Sequence, residues 1–519
     1  MRVKLIVAPQ TNPDPYWKPL PPLGVATITS YLRSKGYDVS QDDLDIRTIV
    51  ADRTVSAPGQ KINLSVFREQ DRVKEYLLGS SVDPYLESTV NRLLSWTDYK
   101  GYDVVAISMG IRSHQLMPAM CIAKKIKEET GAAIVVGGRR IYPEILKDYQ
   151  FVDFGMLADT GENFEKLLGF LSGSSVKKWD IPFLIYRDGG EIKINPPDSL
   201  DMDSISHPDY DGLPLDLYKY KPHTEFPGLR EADVLILPYH AIEGCVGKCA
   251  FCSGHAGKLR NKSPKKIGDD IGKIKKKLGT ANFMFMSNEI NISYDFMENF
   301  AKSLIPHKIL WTDSARLDVF DKELMRLTAE SGCIQLTYGL ESGSQRLLDK
   351  MCKGVDLKKA ADILKHGYKF GIWSHVNVIA GLPFETDEDI KETIGFLNEN
   401  AQYINSLTVT KFYVAYNSPI ENNPEKFGLV LRKETQERFS NVVLDSFIFD
   451  EIDGLKWEEK KLQQEKSVEM IDKGYKKKAR AVVPIPSLFY LYSVLGRDMQ
   501  KIEETVDKCK MLKSYGMYG

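Results

Sequence analysis

Short β-branched runs alternate with amphipathic segments along most of the chain. Val3-Lys4-Leu5-Ile6-Val7-Ala8, closed by Pro9, has the length and composition of a buried strand. Pro21-Pro22-Leu23-Gly24 then opens a helix in which Val25, Ile28 and Leu32 share a face and Gly36 supplies the stop. Val39 begins another strand, and the pattern resumes with strands over 103–108, 133–136 and 154–158 and helices over 116–129 and 162–171. Such alternation predicts an α/β fold with a doubly wound, parallel, Rossmann-like sheet, whose ligands lie beyond the carboxyl ends of the strands. Residues 47–98 are polar, charged and irregular, and read as an insertion. Two short runs at 183–186 and 191–194, joined by Asp188-Gly189-Gly190, read as a hairpin.

A polar, proline-rich stretch over 196–232 reads as a linker, and a second alternating series follows it. Strands are predicted at 234–237, 282–286, 309–312, 334–338, 374–379 and 406–414. The helices between them cover 264–278, 295–304, 322–331, 357–368 and 386–398. Ile267, Ile271, Ile274 and Leu278 share one helix face, and Thr386 with Asp389 makes a capping-box-like start. Six strand-helix units predict a partial (β/α)6 barrel, with its chemistry at the carboxyl ends of the strands. The expected order is a doubly wound domain over 1–195, the linker, the barrel over 233–421 and a mostly helical, charged region over 422–519. That last region carries Lys473, Lys476, Lys477, Lys478 and Arg480, which read as a solvated helix face or as a phosphate or lipid-head-group site.

Composition narrows the classes. The chain of 519 residues is 43% hydrophobic and 27% charged, with a net charge of -1, so there is no global basic field to attract nucleic acid. Seven cysteines, an odd number, with no apolar leader after Met1-Arg2, argue for a reducing cytoplasm rather than a secreted disulfide framework. No apolar run reaches the roughly 18 residues of a membrane span. Residues 484–495 read as a core or interfacial segment, and Leu488-Phe489-Tyr490-Leu491-Tyr492 admits a lipid-like substrate.

Three of the seven cysteines, Cys245, Cys249 and Cys252, fall within eight residues in a CxxxCxxC pattern, on a loop just after the first strand of the second series. Thiolates so crowded repel one another and are normally tied by a metal or joined as disulfides. A zinc site would usually draw on four Cys or His ligands in separated pairs, and here there is no second pair, with His255 as the near candidate. A [4Fe-4S] cluster held by three thiolates leaves one iron open to another ligand.

This pattern, with Phe251 before its last cysteine, at the first strand of a β/α barrel, resembles the radical S-adenosylmethionine (SAM) superfamily. The resemblance implies that Cys245, Cys249 and Cys252 hold a [4Fe-4S] cluster and that Phe251 packs near the adenine of SAM. It implies further SAM contacts from Glu289 after the second strand, Ser314 and Arg316 after the third, Glu341 and Ser342 in a GxES-like stretch after the fourth, and Gly381 and Glu385 in Gly381-Leu382-Pro383-Phe384-Glu385 after the fifth. Cys352, Tyr413 and Tyr416 are candidate reactive or substrate-lining residues. Cys121 and Cys333 read as small core residues.

The first domain is similar to the cobalamin-binding domain of the B12-type radical SAM enzymes. That likeness implies cobalamin contacts from Pro22, Leu23, Gly24, Ser108, Arg112, His114, Gly137, Gly138, Gly161 and Glu162. There is no DxHxxG motif, so either no protein ligand or His114 or Arg112 would lie beneath cobalt. The activity implied is methyl transfer to an unactivated carbon of a small-molecule or natural-product-type substrate, through a 5'-deoxyadenosyl radical and methylcobalamin, with an electron donor such as flavodoxin or ferredoxin. The alternatives are a non-methylating cyclisation, rearrangement or carbon-carbon coupling, with or without cobalamin, and a non-catalytic cluster-binding protein.

Overall fold

The structure, a computed structural model, describes residues 1–11, 19–54, 62–110, 113–138, 141–157, 161–197, 201–254, 258–432, 446–476 and 483–509. The chain forms two compact units, Met1–Lys219 and Tyr220–Gly519.

In the first unit β1 (Arg2–Val7), β2 (Asp38–Asp43), β3 (Val104–Ser108), β4 (Ala133–Gly137), β5 (Phe154–Met156), β6 (Leu184–Asp188) and β7 (Glu191–Ile194) form one sheet in the order β2-β1-β3-β4-β5-β6-β7. β1 to β5 are parallel; β6 and β7 extend the sheet as an antiparallel hairpin. Gly189 and Gly190, at φ 57° and 87°, supply the turn whose twist matches the strands. Helices cover both faces, which is why β1 reads as a continuous apolar run. Val3 and Leu5 pack with Leu32 and Phe164 on one side, and Ile6 packs with Ile107 and Ile122 on the other. Winding reverses between β1 and β3, so the loops leaving those strands diverge and open a crevice at the carboxyl edge.

Two stretches differ from their sequence reading. The supposed irregular insertion carries helices at Leu44–Thr54, Gln70–Leu78 and Pro84–Leu94, and buries Val73, Leu77, Leu86, Val90 and Leu93 in the core. Asp83 caps the last of them, accepting from the amides of Tyr85 and Leu86. Residues 201–219, inside the stretch read as a linker, pack into the first unit. There Tyr210 and Tyr218 are buried, the Tyr218 hydroxyl donates to Asp43, and Gln41 Nε2 donates to the carbonyls of Asp209 and Asp211 at 2.8 and 2.7 Å.

In the second unit β8 (Ile236–Tyr239) leads into a small antiparallel ribbon of β9 (Ile242–Glu243) and β10 (Arg260–Asn261), which closes the base of the cysteine loop. β11 (Asn282–Phe285), β12 (Leu310–Ala315), β13 (Cys333–Glu341), β14 (Trp373–Ala380) and β15 (Ser406–Lys411) line up after β8 as a six-stranded parallel sheet in sequential order. This is the strand order of a β/α barrel, but the sheet is open, with β8 and β15 at its edges. Helices Pro264–Leu278, Tyr294–Leu304, Lys322–Glu330, Leu357–Lys369 and Asp387–Glu399 fall between successive strands. Phe285, Phe300 and Trp311 join sheet to helix through edge-to-face contacts of 5.1–5.6 Å.

The region after 421 folds onto this same unit. Helix Ile485–Leu495 buries Leu488, Phe489, Tyr490 and Leu491, and the Tyr490 hydroxyl donates to the Arg230 carbonyl at 2.6 Å. The apolar segment that suggested a lipid contact is therefore core. Among the described residues no helix is long and apolar enough to cross a membrane. Lys477, Lys478 and Arg480 lie outside the described residues.

Candidate active site

The three cysteines lie on the loop between β9 and β10, at the carboxyl end of β8. The amide of Gly247 donates to Cys245 Sγ and that of Gly254 to Cys252 Sγ, each at 3.2 Å, so two sulfurs already receive the N–H contacts that favour thiolate charge. Both glycines also keep space open. A Cβ at Gly247 would sit 3.2 and 3.7 Å from the sulfurs of Cys245 and Cys249 and 2.7 Å from Arg316 Nη1, and one at Gly254 would sit 3.3 Å from Cys252 Sγ. Burial and the Glu289 carboxylate push the Cys245 thiol up to about 12, and burial raises that of Cys249. Thiolates here need a positive centre to balance them. Among the described residues no three His, Cys, Asp or Glu side chains converge on one metal-ion position; His255 is outside those residues.

Glu289 and Arg316 stand beside this loop. Glu289 is buried; its Oε1 accepts from the amide of Val246 at 2.5 Å, and its Oε2 lies 3.5 Å from Arg316 Nε without a hydrogen bond. Arg316 also donates through Nε to Asp318 at 2.7 Å. Its backbone is held by the buried Asn291, which accepts from Arg316 N and donates to Arg316 O, both at 2.9 Å. Ser314, half-buried, is the penultimate residue of β12. Sequence reasoning missed Asn291 and Asp318, although both lie two residues from residues it chose.

The fourth strand end supplies a further ion pair. Glu341 adopts φ 69° just after a register shift between β13 and β14, and its Oε1 accepts from Lys353 Nζ at 2.9 Å. Lys353 Nζ lies 5.9 Å from the centroid of the Phe251 ring. Burial works against its charge, yet Glu341 leaves its ammonium above the ordinary lysine value. The lysine follows no motif, so nothing in the sequence marked it.

The other residues expected to contact SAM have protein partners of their own. Ser342 Oγ lies 3.2 Å from Thr393 Oγ1 and accepts from Ser344 N, joining β13 to helix Asp387–Glu399. Glu385 accepts from Gly381 N at 2.8 Å and from Ser467 Oγ at 2.7 Å, so Gly381 and Glu385 anchor helix Trp457–Gly474. Tyr413 and Tyr416 are exposed, and Tyr416 stacks on Phe447. Cys352 is exposed at φ 51°.

In the first unit a crevice at the β1/β3 edge is lined by Gly24, Val25, Ile28, Ser108, Gly137, Gly138 and Phe164, among others. It gathers four of the expected cobalamin contacts on one apolar surface. Leu23 opens the helix that flanks it and Pro22 caps that helix. His114 is exposed, and its carbonyl accepts from Thr11 N. Arg112 lies outside the described residues. Gly161 has a packing reason: a Cβ there would fall 2.2 Å from Tyr31 Cβ. Glu162 pairs with Lys166 at 3.0 Å. Gln115, unmarked in the sequence, braces the loops after β1 and β3 by donating to Ala8 O and accepting from Gly110 N.

The second unit thus combines a sequential parallel sheet with three thiols on the loop after its first strand and an acid and an arginine at the next strand ends. Residues 239–397 match the family model "Radical SAM superfamily". It is 24% identical over 362 residues to an uncharacterized methyltransferase of Pyrococcus horikoshii, covering 66% of this chain and 74% of that protein. Among solved structures, the radical SAM methyltransferase TsrM of Kitasatospora setae, with cobalamin and a [4Fe-4S] cluster bound, aligns with TM-score 0.61 at 14% identity over 98% of this chain and 99% of its own. The cobalamin-dependent SAM radical enzyme OxsB, with aqua-cobalamin and SAM bound, gives TM-score 0.63 at 15% identity over 97% and 72%. The fold of nearly the whole chain is thus the fold of these cobalamin-dependent enzymes.

Proposed function

We propose that this protein is a cobalamin-dependent radical SAM methyltransferase acting on an unactivated carbon of a small-molecule, natural-product-type substrate. The observation that carries the radical chemistry is the loop of Cys245, Cys249 and Cys252, whose two glycines leave open the space between the sulfurs that a cluster needs. Cobalamin would lie against the crevice lined by Gly24, Ser108, Gly137 and Gly138. When bound, the cluster supplies the electron that cleaves SAM to a 5'-deoxyadenosyl radical, and cobalamin supplies the methyl carrier.

The chain's own residues bind and orient. Glu289 Oε2, buried and without a hydrogen-bond donor among the described residues, suits the SAM ammonium, and Arg316 suits its carboxylate. Because Glu289 also takes the Val246 amide, it links SAM to the cysteine loop and fixes their separation. A low-potential donor such as flavodoxin or ferredoxin would deliver the electron. The test is anaerobic reconstitution with iron, sulfide and hydroxocobalamin, followed by desalting, reductant and trideuteromethyl-labelled SAM. We expect retained corrinoid, 5'-deoxyadenosine, and label leaving SAM other than as methionine. Loss of corrinoid on desalting, or label recovered only in methionine, overturns the methyl-transfer reading.

A further inference from the structure

Lys353 is a buried cation paired with Glu341, on a segment that the cysteine loop itself grips. Ala250, between Cys249 and Cys252, donates its amide to the carbonyl of Met351 at 2.9 Å, and Lys353 N in turn donates to Leu348 O at 2.9 Å. The lysine's position is therefore coupled to the loop through backbone hydrogen bonds. Its ammonium lies 5.9 Å from the centroid of the Phe251 ring, which adjoins Cys252, and its charge favours the Cys249 thiolate.

The ion pair with Glu341 sits where a side chain of residue 339 would be. A Cβ at Gly339 would fall 2.3 Å from Glu341 Oε1 and 2.8 Å from Lys353 Nζ. Gly339 lies on the face of β13 that carries Thr337, whose register partner on β12 is Ser314. Glu341 reaches the lysine only from a left-handed backbone conformation, a strain that persists where surrounding contacts fix it and that clusters at functional sites. Glu341 and Arg316 also act on the Cys249 thiol, Glu341 in the opposite sense to Lys353 and Arg316 in the same sense. Removing the Lys353 charge therefore shifts the local field toward negative.

We propose that Lys353 is a positioning and electrostatic residue that raises the reduction potential of the cluster held by Cys245, Cys249 and Cys252, with Glu341 as its opposing partner. The inference rests on the cluster reading above. The step is a one-electron reduction of the cluster by an external low-potential donor, with no proton transferred. An added electron is stabilised by a nearby buried ammonium and disfavoured by a carboxylate.

The test is a redox titration of the anaerobically reconstituted full chain, following the electron paramagnetic resonance signal of the reduced cluster and the iron content. Lys353→Met should lower the reduced-to-oxidised ratio about tenfold at fixed potential, a shift of about 59 mV to more negative values for one electron. Lys353→Arg should titrate with wild type, Glu341→Gln should shift the other way, and the double variant Lys353→Met with Glu341→Gln should return toward wild type. An iron-loaded Lys353→Met protein that titrates with wild type overturns the inference. If that variant fails to load, Glu341→Gln decides, and an unchanged potential there overturns it. A wild-type chain that takes up no cluster overturns the parent reading as well, whereas a loaded cluster indifferent to both residues overturns this inference alone.

Discussion

Asn291 shows what a single buried amide does at this site. It answers both the N–H and the C=O of Arg316, so Asn291→Ala leaves two backbone groups without partners in a place water does not reach. The expected loss is about 2 kcal/mol in the denaturant unfolding of the second unit, together with weaker SAM binding because Arg316 is released. Two other buried groups set opposing pH dependences. Burial pushes Glu385 up to about 7 from 4.5, so its folded form holds a proton more tightly than the unfolded chain, and stability is lost as pH rises through that window. Burial pulls His375 down to about 4 from 6.5, so stability is lost as pH falls through its window. In the wild type the two offset between about pH 4.5 and 6.5. Glu385→Gln should make unfolding midpoints rise with pH there, and His375→Asn should make them fall. Parallel slopes for the two variants, measured at pH 5 and 6.5, would contradict this assignment.

At the scale of elements, helix Trp457–Gly474 is held by polar contacts. Lys460, fully buried, pairs with Glu451 at 2.9 Å and donates to Leu382 O at 2.7 Å, while Gln464 donates to Phe412 O at 2.7 Å. Lys460→Met should cost about 3–5 kcal/mol by stranding the Glu451 carboxylate, and adding Glu451→Gln should recover part of it, as read from thermal unfolding. The same contacts explain why this helix gave a mostly charged pattern in the sequence: three of its five buried positions are Lys460, Gln464 and Ser467, which hydrophobic periodicity does not see, beside only Val468 and Ile471. Elements whose ends carry their own chemistry were legible. Thr386 forms a capping box on Asp387–Glu399, as its sequence implied. At the candidate site the sequence pointed to Glu289 and Arg316 at strand ends, and these stand beside the cysteine loop. It did not foretell the contacts that Glu385 and Ser342 make to neighbouring helices, or that Lys353 reaches Glu341 from outside any motif.

For the whole molecule, alternating strands and helices announced two α/β units, and the two strand orders follow from them. The first order, with its reversal between β1 and β3, makes a crevice; the second, strictly sequential, brings the loops after β8, β11, β12 and β13 to one edge. The likeness to TsrM over 98% of the chain shows that both units belong to one known arrangement of domains in sequence. What the amino-acid pattern did not reveal was that residues 201–219 pack into the first unit, because the large groups they bury, Tyr210 and Tyr218, are scattered rather than periodic. The account stands on the cysteine loop, and its most direct test is iron content and 5'-deoxyadenosine formation by the anaerobically reconstituted chain given reductant and SAM. Wild type should bind about four irons and form 5'-deoxyadenosine, and Cys249→Ala should lose both. A wild-type chain that forms no 5'-deoxyadenosine, or a Cys249→Ala protein that keeps its iron and its activity, would contradict it.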